Sequence, residues 1–374
     1  MSGFFWGVRF RTSWYWKGDL FLRKRGFRDR DFLSTKEGFF FCVVSPYHPD
    51  DRVISYLKYL PDPSGMWKKG RSRFKRVMQV YTIPNLLETF NLLKKAYPQY
   101  LFFSRFYNIT MTAVPRNHVV EHFKPEKKLD ELFQKSHLDP LQKKVIRLVS
   151  LLSKLSNVET RDFGVTGSVL LDIHNPALSD MDITVYGTEN SYALKDALRK
   201  AFLAKDLGVS RFGKERLDEW YASKIHNHPF TLPEARQVYE RKWNIGVYED
   251  TLFSVHPIKL EEELTEKYGD KTYRPGKTVT MKATVTNTRD SIFLPALYKV
   301  AEVENEAGVN IKEVVSYEGL YDNVAERGEK IMVRGKLEHV TDNRTGKEYD
   351  RVLVGSPEGG GREYIKPLSK AKEY

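Results

Sequence analysis

A chain of 374 residues, 41% hydrophobic and 29% charged, is long enough for two or three domains and too apolar to remain disordered. Its one cysteine, Cys42, excludes an internal disulfide. The net charge of +12 is uneven: residues 1–150 carry 28 Lys and Arg against 13 Asp and Glu, a net of +15, whereas residues 151–270 carry 15 against 20, a net of −5. A positive first part suits a polyanion, and an acidic middle suits a divalent cation, although a charge-rich surface without a polyanionic partner has the same composition.

Met1 to Thr12 mix Trp and Phe with Arg and do not make a signal peptide. No window approaches the ~18 apolar residues of a membrane span, so a soluble, cytoplasmic protein without a membrane partner is expected. Strands are predicted at Gly38–Val44 and Val53–Leu60, parted by Ser45–Asp51, whose two prolines stop regular structure. Cys42 lies in the first of these runs and is expected to be a small core residue. Met66–Arg76 interleaves Lys68, Lys69, Arg71, Arg73, Lys75 and Arg76 with Trp67 and Phe74. Such a stretch can clamp phosphates while its rings stack on bases, or it can be a solvated loop with anchored aromatics. Residues 1–138 therefore read as a basic α/β or mostly β module.

Asp139-Pro140 opens a helix whose apolar residues Leu141, Val145, Leu148, Leu151, Leu152 and Leu155 keep helical spacing. Tyr192–Leu207 reads as a helix, Leu217–Lys242 as another interrupted around His226–Pro233, and Trp243–Tyr248 with Leu252–Ile258 as a hairpin turning at Glu249-Asp250. These fall in a middle domain, 139–270. From 271 to 374 the runs Thr278–Thr286, Lys312–Tyr317, Lys330–Val340 and Asp350–Gly355 suggest a small antiparallel β barrel or sandwich, OB-like in character, with a frayed tail at Ser369–Tyr374. The fold class is α+β.

The chemistry concentrates in Gly167-Ser168 and in Asp180-Met181-Asp182-Ile183-Thr184-Val185. Side chains alternate along a strand, so Asp180 and Asp182 share a face while Ile183 and Val185 continue into the sheet. Two adjacent carboxylates can chelate Mg²⁺ or Mn²⁺ and leave room for substrate phosphates. A glycine before a helix start lets the backbone approach a triphosphate, with the Ser168 hydroxyl beside it. His174 and Asn175 before Pro176 read as turn residues and His48 as a structural histidine, while His226 and His228 lack a third ligand at zinc spacing.

Gly-Ser, an eleven-residue spacer, and Asp-x-Asp leading into an apolar strand resemble the signature of the DNA polymerase beta-like nucleotidyltransferase superfamily. More narrowly, Asp31–Gly38, His48-Pro49 and Val333–Glu338 resemble an uncharacterised archaeal group of predicted nucleotidyltransferases. The resemblance implies a polymerase-beta-like domain that transfers a nucleoside monophosphate from an NTP, ATP among the candidates, to a hydroxyl. Asp180 and Asp182 would be metal ligands, and Gly167 and Ser168 would hold the nucleotide. The positive first module makes an RNA end the expected acceptor. The family's third carboxylate has Ser254 in its place, in Phe253-Ser254-Val255-His256-Pro257, and His256, Glu249 or Asp250 would have to supply the base. That departure leaves open an inactive RNA-binding or complex-forming descendant. A protein or small-molecule acceptor is the other variant.

Overall fold

The computed structural model describes residues 25–78, 82–204, 207–306 and 308–368. The expectations for Met1–Thr12 and Ser369–Tyr374 fall outside them. The first module runs β1 (Phe32–Thr35), β2 (Phe40–Val43), β3 (Arg52–Pro61), β4 (Trp67–Lys69), β5 (Ser72–Arg76), α1 (Ile83–Ala96), β6 (Leu101–Ser104), β7 (Ile109–Pro115), β8 (Val119–Phe123) and α2 (Pro125–Gln134). Its sheet is ordered β4-β5-β3-β2-β1-β8, with β7 also pairing β3 and β6 pairing β7. Met66–Arg76 is thus a hairpin, β4 pairing β5 at the sheet's edge, rather than a loop. Cys42 is buried against Phe32, Phe40, Tyr59 and Phe74.

The middle of the chain follows as α3 (Pro140–Ser156), β9 (Phe163–Val165), α4 (Gly167–Leu170), β10 (Met181–Tyr186), α5 (Thr188–Leu203), β11 (Val209–Ser210), α6 (Lys214–Asn227), α7 (Leu232–Arg241), β12 (Ile245–Tyr248) and β13 (Thr251–Ile258). Asp139 caps α3 in a capping box, accepting from Gln142 N at 2.9 Å while Gln142 answers at Asp139 N. The sheet order is β11-β12-β13-β10-β9, with β10 parallel to β13 and antiparallel to β9. The apolar faces of α3 and α5 join Ile183, Val185, Phe253 and Val255 in one core. Glu249 and Asp250 both take positive φ, the geometry of a tight two-residue hairpin turn between β12 and β13.

The last part holds β14 (Lys271–Asn287), β15 (Ala296–Asn305), β16 (Ile311–Ser316), β17 (Lys330–Asp342), β18 (Glu348–Val354) and β19 (Tyr364–Pro367). The ring β14-β15-β16-β18-β17 closes through β14–β17, giving a five-stranded barrel. It is not wholly antiparallel, as expected from short alternating runs, because β16 lies parallel to β18. Helices α6 and α7 share a hydrophobic cluster with this barrel through Tyr221, Val238 and Tyr239. The strand at Ala296–Asn305 escapes a pattern reading because its alternation breaks at Ala301 and Glu302, both exposed, with Glu302 at positive φ.

Candidate functional site

The strand β10 begins one residue after Asp180, so Asp180 stands at the strand's mouth and Asp182 one alternation further in. Both line a cleft of about 490 Å³ between the first module and the middle sheet. Ser168 and Thr166 lie in the same lining, contributed by the turn after β9. Because β9 and β10 are hydrogen-bonded neighbours, and Thr166 N donates to Asp182 O at 2.9 Å, the Gly167-Ser168 turn is set directly beside the carboxylates. Gly167 has φ +67°, and a Cβ on it would stand 2.4 Å from Asp182 Oδ2. Only glycine fits there, for backbone and for space. The helix expected after Gly167 is a single turn, Gly167–Leu170, whose end packs Leu170 and Leu171 against Phe32 and Phe40 of the first module.

Ser254 faces Asp182 in register across the parallel pair β10–β13. Its Oγ donates to Asp182 Oδ1 at 2.6 Å, and His256 Nε2 lies 2.9 Å from that Oγ and 3.5 Å from Asp182 Oδ1. One arrangement satisfies all three groups: His256 Nε2–H donates to Ser254, and Ser254 donates to the carboxylate. Burial works against the charge of Asp182, but the His256 bond, the charge of Lys58 and the Ser254 bond outweigh it and hold the acid well below its usual range. Asp180, more exposed at the rim, is pushed up to about 6, first by the charge of Asp182 and then by partial burial. Burial, helped by Arg30, pushes His256 down and favours the neutral imidazole.

Two carboxylates repelling each other are a ready place for a divalent cation. Among the described residues no group of three or more His, Cys, Asp or Glu side chains gathers to hold a metal by itself. A Mg²⁺ ion held by one or two carboxylates and completed by substrate phosphates and water does not need a third. The residues present fit such an ion, with Asp180 and Asp182 as its protein ligands.

Of the two acids considered beside His256 as substitutes for the third carboxylate, Asp250 lines the cleft, whereas Glu249 is held in a two-pronged ion pair by Arg147, at 2.6 and 2.9 Å. His174 bonds Asp139 Oδ2 at 2.8 Å, beside the helix cap, and Asn175 closes its turn by accepting from Ala177 N at 3.0 Å. His48 braces its loop by accepting from Ile54 N at 3.1 Å. His228 approaches Glu318 at 3.7 Å, far in sequence from any site residue.

The cleft also receives four cations that a linear reading does not gather: Arg30, Lys58 and Arg76 from the first module and Arg216 from α6. Lys58 is only 7% exposed. Its signal is legible in hindsight as a lysine inside the apolar strand Val53–Leu60, since lysine is almost never buried without a partner or a task.

Over 341 residues the chain is 30% identical to Uncharacterized protein MJ1086 of Methanocaldococcus jannaschii, an alignment that spans 91% of this chain and 98% of that protein. No protein-family model matches the chain, and no solved structure matches it.

Proposed function

The chain belongs to one family with that archaeal protein, and from its own site we propose that it is a Mg²⁺-dependent nucleotidyltransferase acting on an RNA end. The observation that carries this reading is the placement of Asp180 and Asp182 against the Gly167-Ser168 turn, in a cleft that four cationic side chains also line. The middle sheet is then the polymerase-beta-like core. The barrel, with its single parallel pair β16–β18, is OB-like support.

In this reading the triphosphate lies along the Gly167-Ser168 turn, where the missing Cβ admits a phosphate and the Ser168 hydroxyl bonds it. Arg30, Lys58, Arg76 and Arg216 offset its charge. A bound Mg²⁺ adds charge neutralisation at the transferring phosphate. The acceptor oxygen bonds to the α-phosphorus, the bond to the bridging oxygen breaks, and pyrophosphate leaves. The acceptor's proton passes to His256 in its other neutral tautomer, whose Nε2 carries no proton and can accept one.

A second reading, a binding protein without turnover, is favoured by one contact: Ser254, at the place of the third carboxylate, spends its proton on Asp182. Transfer of label from each α-labelled NTP onto small RNA, protein and small molecules, with Mg²⁺ or Mn²⁺, separates the readings. Wild-type labelling of RNA that is lost in Asp180→Ala/Asp182→Ala supports the enzyme. Label on protein or on a small molecule changes the acceptor, and no transfer by a folded wild type favours the binding protein.

A further inference from the structure

The β4–β5 hairpin carries more positive charge than its own packing explains. Its two faces differ. Phe74 is buried, and Trp67, its cross-strand partner, packs on Tyr59 with ring centroids 5.5 Å apart. Trp67 and Arg76 also line the catalytic cleft, and Met66 beside them is 62% exposed. The other face places Lys68 directly opposite Arg73, with Lys75 next along β5, and Lys69 and Arg71 flank the turn. All five of these cations are exposed and none makes an ion pair among the described residues, although the Arg73 guanidinium donates to Gly65 O at 3.1 Å and Lys69 lies over the Phe123 ring.

Like charges directly opposite on paired strands destabilise a sheet. Lysines on an edge strand do guard against edge-to-edge pairing, which accounts for Lys68 and Lys69 on β4. It does not account for Arg73 and Lys75, because β5 is paired on both sides, by β4 and β3. Cations without an acidic partner, kept together at a stability cost, call for an anionic partner, and their spacing along one ribbon suits a chain of phosphates rather than a single ion.

We propose that the hairpin is the track for a single-stranded RNA whose phosphates lie on Lys68, Arg71, Arg73 and Lys75 and whose 3′ end passes over the edge strand β4 to the opposite face, where it enters the cleft and stacks its terminal base on Trp67. The cleft of about 490 Å³ has room for a nucleotide and a chain end but not for a duplex. Stacking on the half-buried Trp67 ring tolerates any base, so the surface reads a free end rather than a sequence. The identity of the strand as RNA rests on the proposed function; the single-strand surface itself rests on the hairpin.

The test is binding without NTP, so that it does not depend on catalysis. Fluorescence anisotropy of a labelled single-stranded oligoribonucleotide, titrated against salt, is expected to give a slope of log K on log salt of about −2.8 to −3.5, as four or five phosphates are neutralised. Lys68→Ser/Arg71→Ser should lower the slope by about 1.4, while thermal melting stays level or rises because the repulsion of Lys68 and Arg73 is relieved. Trp67→Phe, which keeps a ring against Tyr59, should abolish the quenching of tryptophan emission on binding, and Trp67→Ala should weaken binding about tenfold or more. Unchanged slope and affinity in the folded double variant, or tighter binding of a duplex than of a single strand, overturns the proposal. Equal binding of single-stranded DNA upholds the hairpin surface and removes RNA as the named acceptor. Loss of NTP transfer with binding intact overturns the enzyme reading alone.

Discussion

Gly167 turns its bare Cα toward the carboxylate of Asp182, and a single added carbon would stand 2.4 Å from Oδ2. Gly167→Ala is therefore expected to act twice. The residue's φ of +67° costs an L-residue about 1–2 kcal/mol, and the methyl must displace a carboxylate that Ser254 and His256 hold. Urea unfolding should show a loss of at least that size. Mn²⁺-induced stabilisation, read as a thermal shift, should shrink with it. Full stability with full Mn²⁺ response in the alanine variant would mean that the turn and the carboxylate move apart freely.

Ser254→Asp restores a third carboxylate in register with Asp182. Without metal it brings like charges into a buried place and removes a donor from Asp182, so the apo protein should be less stable. With Mn²⁺ the added ligand should give a larger thermal shift than in wild type. If the wild type transfers nucleotides with His256 as base, this variant keeps or raises the rate; if the wild type is inert because the carboxylate is missing, the variant gains activity.

Local signals explain what the sequence makes legible. Asp180, Asp182, Gly167 and Ser168 lie within sixteen residues, and the strand alternation that pairs the two acids needs no knowledge of the rest of the chain. The break between α6 and α7 is equally local, at His228 and Pro229 before the Thr231 capping box. Lys58 and Arg76 reach the same cleft from more than 90 residues away, through the packing of Phe32 and Phe40 on Leu170 and Leu171. No periodicity carries that information. The parallel register of β16 and β18 is hidden for the same reason, since strand pairing is set by the whole barrel and not by either strand.

Glu318 lies in the barrel's neighbourhood, where burial first and then the charge of Glu363 push it up to about 7. An acid whose folded value lies above its unfolded one lends stability that is complete below the unfolded value, near 4.5, and is lost as pH rises through about 7. Between pH 5 and pH 8 the melting temperature of wild type should therefore fall more than that of Glu318→Gln, with a difference on the order of 3 kcal/mol at most. Parallel melting curves for the two proteins across that range would place the ionised Glu318 in a better-solvated setting.

Helix α6 brings Arg216 to the cleft, yet α6 and its partner α7 rest on the barrel, through a contact that includes a buried ion pair between Arg241 and Glu329. The pair spans 3.1 Å with both side chains 5% exposed, and Glu329 also accepts from Glu326 N at 2.9 Å. Removing one member of a buried pair leaves the other charge without water, which costs about 3–5 kcal/mol, whereas replacing both by apolar groups of similar volume is close to neutral. Glu329→Ala is thus expected to lower unfolding free energy by that amount, and Arg241→Met/Glu329→Leu to recover most of it. The apolar pair holds α7 on the barrel as the ion pair does, so NTP affinity, to which Arg216 contributes in the proposed function, should follow stability: weakened in Glu329→Ala and near wild type in the double variant. Affinity lost in both, with stability recovered only in the second, would show that the charges themselves, and not the docking of α7, set the position of Arg216.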